Sequence, residues 1–428
     1  MHTQIRDKFT STFKETTDPR GVVYIEGASV SKRHDTADTE LPFRQESNFI
    51  YLTGVDLPDF SMAIDIENQV SYLFAPKRDQ YYAIWNGEVM SLEEIQELYG
   101  SDVVLYDELL ITTLEEITQN NMKKIYLLPD RTLPPFQNVD NSNTLETSLG
   151  RSRVTKIADE ILLMRIAAQV SSDAHIALMK DSKVGLYEYN YGGYFVYYTT
   201  SCGLLHQSYE PIVGSGNRSA ILHYTSKKYQ TTSTDIILID AGAEFKGYGT
   251  DITRTYPVNG IFSPEQTLIY SLVLEVVEAI ESQVLPGASW RSLTVLSQHL
   301  VCQKLLEAGF LRGNLEELIQ KRMWVYFYPH GLGHSVGIDV HDPGLSDILE
   351  ENMVVTVEPG IYFNKVFIQE ALKDPLISPF LVIEKINFFL DMNFGGVRIE
   401  DIVLVTSSGM ENLAVVPKTI PEIEAIMN

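Results

Sequence analysis

Ile236-Ile237-Leu238-Ile239-Asp240-Ala241-Gly242, followed by Gly249-Thr250-Asp251-Ile252-Thr253-Arg254-Thr255, is the stretch on which the reading of this chain turns. Two β-rich runs flank a turn around Phe245, Lys246 and Gly247, which reads as a hairpin. The nearly unbroken apolar run from Ile236 to Ile239 implies a strand buried on both faces, which argues against two aspartates on an exposed edge. With Glu244 to Gly247 as the loop, Asp240 and Asp251 stand opposite each other on one face, their Cβ atoms roughly 5 Å apart. Like charges so placed destabilise a sheet unless something neutralises them, and a cation between them is the simplest candidate.

Three further motifs bear on that candidate. In Pro329-His330-Gly331-Leu332-Gly333-His334 the two histidines stand four apart, the spacing of a helical zinc site. The two glycines make a helix poor there, and no Glu follows the first His, so the segment reads as a loop or strand edge that comes close to a site. Glu358 ends the β-branched run Val354-Val355-Thr356-Val357, where an ionised and unpaired carboxylate is costly. In Gly395-Gly396-Val397-Arg398-Ile399-Glu400-Asp401-Ile402-Val403, Arg398 and Glu400 share one strand face, so a local ion pair is the bland alternative. Each motif alone is weak; four carboxylates and a histidine in strand contexts of one region are not. Oxygen-rich ligation with one imidazole suits Mn²⁺ and admits Co²⁺, Zn²⁺ or Fe²⁺. Four carboxylates carry enough charge for two divalent ions. Paired metals make bound water acidic enough to serve as hydroxide and polarise a carbonyl, which is the chemistry of hydrolysis.

At 428 residues the chain is too long for one core, and two domains are expected. A formal net charge of -24 repels phosphate backbones and anionic bilayers, so neither nucleic acid nor membrane is an expected partner. Two cysteines make no disulfide framework, the N-terminal residues lack an apolar signal core, and no apolar run reads as long enough to span a bilayer. A cytoplasmic enzyme is the expectation. Strands are expected at residues 22–25, 70–74 and 124–128, with a helix from Leu92 to Tyr99. Residues 129–155 read as connection, broken by Pro134-Pro135. Helices are expected at 156–180, 264–283 and 289–308, and the domain boundary near Thr155.

At this point the motifs resemble those of the pita-bread metallopeptidases: the methionine aminopeptidase, aminopeptidase P and prolidase group. The resemblance runs from about Leu41 to the C-terminus and is closest to eukaryotic prolidases, the Xaa-Pro dipeptidases. It is carried by residues 41–49, by Ala220-Ile221-Leu222-His223-Tyr224, and by residues 330–342 and 394–401. It implies an α/β (α+β) chain with a smaller α/β N-terminal domain, residues 1–155. A pseudo-symmetric catalytic domain of curved antiparallel sheets, residues 156–428, would follow, in a homodimer. Asp240 would hold one metal, Asp251 and Glu400 would bridge two, and His334 and Glu358 would complete the ligands of the second metal. Glu358 would also take a proton from the attacking water. His223 and His341 would contact substrate and stabilise the tetrahedral intermediate, His330 and Arg398 would support them, and Ile212 would line the proline pocket.

One departure matters. Prolidases near this chain carry a longer loop before the Val-Glu-Pro-Gly motif, with an Arg that grips the dipeptide carboxylate. Residues 343–353 contain no Arg and hold Asp347, Glu350 and Glu351. The expected activity is hydrolysis of Xaa-Pro bonds in small proline peptides, first as a dipeptidase. The alternative, favoured by the missing Arg, is an Xaa-Pro aminopeptidase acting on longer peptides. A non-catalytic binding module of the same fold comes third and is separated from both by metal content.

Overall fold

Runs of β-branched and aromatic residues build a mixed sheet in the first of two units, Met1–Val154, in the computed structural model, which describes residues 1–17, 19–34 and 39–428. In chain order this unit holds α1 (His2–Thr16), β1 (Val22–Glu26), α2 (Ser47–Thr53), β2 (Ser61–Asp65), β3 (Val70–Ala75), α3 (Gln80–Asn86), α4 (Leu92–Tyr99), β4 (Val103–Tyr106), α5 (Leu110–Ile117), β5 (Ile125–Tyr126), β6 (Val139–Asp140) and α6 (Thr144–Val154). The strand order is β4-β3-β2-β1-β5-β6, antiparallel among β1, β2 and β3 and parallel outside them. Val22, Tyr24, Phe74, Ile125 and Leu127 pack into one cluster, and each large apolar side chain so buried stabilises the unit by about 1.5–3 kcal/mol. α4 starts at Ser91, whose hydroxyl accepts from Glu94 N while the Glu94 carboxylate accepts from Ser91 N. The sequence reads 129–155 as connection, but 144–154 is helix. Small Ser148, Gly150 and Ser152 are buried along with Leu145 and Leu149, and Ser148 Oγ lies 3.2 Å from Thr16 Oγ1 of α1. The helix is held by close approach to its neighbour rather than by an apolar stripe, so periodicity gives no sign of it.

The second unit, Thr155–Asn428, holds α7 (Ala158–Asp181), α8 (Glu188–Ser201), β7 (His206–Gln207), β8 (Ile212–Ser215), β9 (Ile236–Asp240), β10 (Ala243–Glu244), β11 (Thr253–Pro257), α9 (Pro264–Glu281), α10 (Trp290–Glu307), α11 (Leu315–Gln320), β12 (Val354–Val357), β13 (Gly360–Tyr362), α12 (Lys365–Lys373), α13 (Ile383–Asp391), β14 (Gly396–Arg398), β15 (Asp401–Thr406), β16 (Gly409–Asn412) and α14 (Ile420–Met427). Its strands form antiparallel sheets ordered β11-β9-β8, β12-β15-β16, β13-β14 and β10-β7. α9 begins where Ser263 caps Gln266 N and Pro264 occupies the first turn, where its missing N–H leaves no bond unmade. By length and composition α7 is apolar enough to cross a bilayer, contrary to the expectation from sequence, but half of that stretch is buried. Its inner face is tied to strands and loops: Ser171 and Ser172 accept from Ala243 N and Val415 N, and His175 Nε2 donates to Ala241 O. α7 is a core helix of this unit.

The deciding hairpin is present with a different register. Phe245 and Tyr248 exchange both backbone hydrogen bonds, at 2.9 and 3.0 Å, around Lys246 and Gly247, whose φ values are +49° and +87°. A two-residue turn with both central residues at positive φ matches strand twist better than the expected four-residue loop. Asp240 therefore faces Thr253, not Asp251. The correction shifts the pairing by two residues, and a shift of two leaves every side chain on its original face.

Candidate metal centre

Each chemistry-bearing side chain sits where a strand ends or a loop runs beside one. Asp240 closes β9, Asp251 lies just before β11, and Glu358 follows β12. Glu400 falls between β14 and β15, where its N–H donates to Thr253 O. Arg398 and Glu400 thus do not share one continuous strand, as the sequence suggested. The histidine segment is a loop along β12: Thr356 N donates to His334 O at 2.9 Å and Glu358 N to Leu332 O at 2.9 Å. Gly333 makes that approach possible, since a Cβ there would lie 2.1 Å from Thr356 O.

Asp240, Asp251, His334, Glu358 and Glu400 line one cavity of about 250 Å³. One ligating atom each from Asp251, His334 and Glu400 lies within 4.8 Å of the others. His334 Nδ1 is 3.1 Å from Ser335 O, a contact in which the ring nitrogen must donate. In the neutral ring, Nε2 then presents its lone pair to Asp251 Oδ2 at 3.4 Å and Glu358 Oε1 at 3.5 Å. Three electron-rich atoms facing one another is the arrangement a cation resolves. Asp240 contributes a second sign: Oδ2 accepts from Arg398 Nη2 at 2.5 Å, while Oδ1 is buried with no hydrogen-bond partner. Burial, then the charges of Asp240 and Glu358, pushes the Asp251 carboxyl well above the usual range, and burial with Asp251 and Asp240 does the same to Glu400. Burial and the Glu400 charge push Glu358 up to about 8. The donor set therefore fits divalent cations.

His330, Arg398, His223 and His341 line the same cavity. Tyr362 Oη accepts from Arg398 Nη1 at 3.1 Å and lies 2.8 Å from His330 Nε2, so its own proton is free to go to that nitrogen. His330 Nδ1 lies 2.9 Å from Gly331 O, which completes a neutral tautomer, and burial followed by the Arg398 charge pulls its pKa down to about 3. The His341 ring centroid is 4.0 Å from that of His334, and burial followed by His334 lowers its pKa. Ile212 is buried on β8 as the cross-strand partner of Asp240 and is not among the residues lining the cavity.

Sequence reasoning missed four residues that position this site. Tyr209 Oη donates to Asp251 Oδ1 at 2.5 Å, and nothing in its surrounding sequence marks it. Thr253 Oγ1 donates to Glu400 Oε2 at 2.6 Å and accepts from Arg398 Nε at 3.1 Å, so the hydroxyl bridges two groups whose direct separation is 4.0 Å. Tyr362 joins His330 to Arg398, as described. Arg254, fully buried, donates to the carbonyls of Thr253, Glu400 and Val416 and to Asp401 Oδ1. Thr253 and Arg254 both stand in the opening motif, where the alternation of a strand sends one to the carboxylate of Glu400 and the other to that of Asp401.

The profile described as metallopeptidase family M24 matches residues 162–407, and the one described as the aminopeptidase P N-terminal domain matches residues 2–126. A probable Xaa-Pro aminopeptidase of Paracoccidioides lutzii is 36% identical over 439 residues, covering 95% of this chain and 92% of that protein. One from Botryotinia fuckeliana is 35% identical over 432 residues, covering 96% and 93%. Among solved structures, Pseudomonas aeruginosa aminopeptidase PepP is similar with a TM-score of 0.85 and 31% identity, over 100% of this chain and 98% of that one. Escherichia coli aminopeptidase P with the inhibitor Pro-Leu is similar with a TM-score of 0.84 and 30% identity, over 99% and 98%.

Proposed function

The chain belongs to metallopeptidase family M24, with the pita-bread fold of the aminopeptidase P and prolidase group, and from that premise we propose that it is an Xaa-Pro aminopeptidase removing the residue before proline from peptides longer than two residues. The observation that carries this reading is the lack of a free cation in the cavity. Among its described lining residues the only Lys or Arg is Arg398, and its Nη2 is committed to Asp240. A dipeptidase must hold a terminal carboxylate beside the scissile bond, for which a bidentate Arg is the usual partner. Residues 343–353 supply no lining residue. Asp347 in that segment instead accepts from Arg291 N and Ser289 Oγ at the start of α10. The activity of the relatives supports the same choice over the dipeptidase reading suggested by likeness to prolidases.

In this reading Asp240, Asp251, His334, Glu358 and Glu400 hold two divalent cations, Mn²⁺ before Co²⁺, Zn²⁺ or Fe²⁺ by donor type. Bound there, the cations supply Lewis acidity toward the scissile carbonyl and acidify water. The protein's own groups do the rest. Glu358, with its carboxylate between His330 and His334, is placed to take a proton from water. His223 and His341, at the exposed side of the cavity, donate to the carbonyl oxygen as charge develops on it. Arg398 and Tyr209 hold Asp240 and Asp251 in place. A cytoplasmic homodimer belongs to the same reading, in keeping with the two unpaired cysteines, Cys202 and Cys302, and with the family resemblance.

The test is kcat/KM for Ala-Pro and for Ala-Pro-Ala with Mn²⁺-, Co²⁺- and Zn²⁺-loaded protein. Faster release of alanine from the tripeptide is expected. Faster turnover of Ala-Pro returns the dipeptidase reading, and no turnover by a protein that binds no metal returns the binding module.

A further inference from the structure

His223 lines the metal cavity from an exposed loop, and little holds it there. Among the described residues no hydrogen bond reaches its ring, and residues 222–226 make no hydrogen bond through their backbone. The chain on either side is fixed: Ile221 N donates to Arg218 O at 3.0 Å, and Tyr189 N donates to Lys227 O at 2.8 Å. Between those points a single hydrogen bond ties the loop down, from Tyr224 Oη to Glu188 Oε2 at 2.8 Å. Tyr224 is buried, unlike its neighbours His223 and Thr225. Glu188 is the first residue of α8, where the helix dipole favours a carboxylate. It is fully buried and gathers five donors from residues 215–229. Oε1 accepts from Ser215 N at 2.9 Å, Ser215 Oγ at 2.7 Å and Arg218 Nε at 2.7 Å, and Oε2 accepts from Tyr224 Oη and from Tyr229 N at 3.2 Å. Despite burial, Arg218, Ser215 and Tyr224 hold the Glu188 carboxyl below its ordinary range, so the ionised form organises the loop. Burial and that carboxylate push the Tyr224 hydroxyl up to about 12, which keeps it a donor.

We propose that Glu188 is a positioning residue for the reaction: through Tyr224 it sets where His223 stands over the metal cavity. Glu188 is not among the residues that line that cavity, so it acts through the loop and not on the substrate. The inference rests on the aminopeptidase reading, in which His223 donates to the carbonyl oxygen as charge develops there. A donor of that kind works only at hydrogen-bond distance from the developing oxyanion, and a misplacement of about 1 Å costs up to about a hundredfold in rate. With no bond on the His223 ring and none along the backbone beside it, its place is inherited from Tyr224, the next residue. Taking one donor from a buried carboxylate is costly, so the Tyr224 hydroxyl is held to its acceptor and the loop with it. Among the described residues neither Glu188 nor Tyr224 hydrogen-bonds Asp240, Asp251, His334, Glu358 or Glu400. Loosening the tether therefore moves His223 and leaves metal binding alone.

The experiment measures kcat and KM for release of alanine from Ala-Pro-Ala by the Mn²⁺-loaded full chain, with bound Mn²⁺ read on every sample by elemental analysis. Tyr224→Phe removes one oxygen and leaves Glu188 its other four donors. It is expected to lower kcat about tenfold, with KM and bound Mn²⁺ unchanged. Glu188→Gln should lower kcat at least as far, and if that variant fails to fold, Tyr224→Phe decides alone. A merely structural role lowers activity whether or not His223 is present, so Tyr224→Phe is repeated on His223→Ala under single-turnover conditions with enzyme in excess. His223→Ala itself is expected to cost about a hundredfold. On that background the loss from Tyr224→Phe should shrink below about twofold. Unaltered kcat in Tyr224→Phe overturns the proposal. So does a loss that follows lost Mn²⁺, or one that stays near tenfold on the His223→Ala background. Full activity in His223→Ala overturns the role given to His223 and this inference with it. A chain that cleaves Ala-Pro and not Ala-Pro-Ala overturns the aminopeptidase reading alone, and the same variants on Ala-Pro then decide the tether by the same criteria.

Discussion

Two clusters of buried acids stand back to back in the second unit, and they balance their charge differently. In one, Asp240, Asp251, Glu358 and Glu400 face a single guanidinium, that of Arg398. In the other, on the far side of Glu400 and Thr253, Asp401 pairs with both Arg254 and Lys418, and Glu281 with Lys418: Arg254 Nη2 lies 2.6 Å from Asp401 Oδ1, and Lys418 Nζ lies 2.6 Å from Asp401 Oδ2 and 2.7 Å from Glu281 Oε2. The second cluster carries as many cations as acids. Despite burial, the Asp401 carboxyl is held well below the usual range because Arg254 and Lys418 face it, while burial and the Asp401 charge push Glu281 up to about 8. In the first, burial and mutual repulsion raise Asp251, Glu358 and Glu400 alike. Buried acids matched from within make a structural member; buried acids left in excess make a receptor for cations.

The sharpest way to break that contrast is Glu400→Ala. We expect kcat/KM to fall by at least about a thousandfold, since a misplaced metal loses several kcal/mol of transition-state stabilisation, with a matching fall in bound metal by elemental analysis. Turnover that survives this change means the excess acids are not the receptor. Arg254→Met attacks the other cluster and leaves Asp401 with one of its two cationic partners. It should destabilise the fold by about 3 kcal/mol in urea unfolding, and a loss well under 1 kcal/mol would show that the second cluster is not held by its ion pairs.

Removing metal sharpens the contrast through pH. In the metal-free folded state Glu358 keeps its proton up to about 8, whereas in the unfolded chain it releases it near its ordinary value of 4.5. The stabilisation from that protonated carboxyl is complete below about pH 4.5 and is lost as pH rises through about 8. Chelated protein should therefore melt at lower temperature near pH 8 than near pH 5, and added Mn²⁺ should restore more at the higher pH. Glu358→Gln should flatten that dependence, and a slope unchanged in the variant removes Glu358 as its source. The smallest effect is expected for Tyr209→Phe, which frees Asp251 Oδ1 from its donor and should weaken metal binding about tenfold by calorimetry, the usual range for a residue that orients a ligand.

Much of this could be read from residue order alone because the informative side chains sit at the ends of apolar runs, where an acid has no other reason to be. Asp240 after Ile236-Ile237-Leu238-Ile239 and Glu358 after Val354-Val355-Thr356-Val357 are of that kind, and with Asp251, His334 and Glu400 they line one cavity. Their individual roles are for the variants above to decide. The long helices expected at 264–283 and 289–308 are present at 264–281 and 290–307, the first opened by Ser263 and Pro264. The hairpin register could not be read, because loop length depends on whether two central residues accept positive φ, and Lys246 gives no sign that it does. Tyr209 is invisible for a different reason: its meaning comes wholly from a partner 42 positions away. The missing Arg in 343–353 was legible, yet likeness to prolidases still put the dipeptidase first; the relatives and the cavity wall favour the longer substrate.

Glu400 and Asp401 differ by one methylene and one step along the chain, and that step has a bearing on how the protein folds. Were the strand to slide by a single position, Asp401 would turn into the metal cavity and Glu400 toward Arg254, leaving a guanidinium mispaired on one side and a short-armed ligand on the other. The adjacent acids therefore act as a keyed joint: only the native alignment satisfies both faces together, and a chain that closed in the wrong notch would be unable either to hold its ions or to bury its arginine.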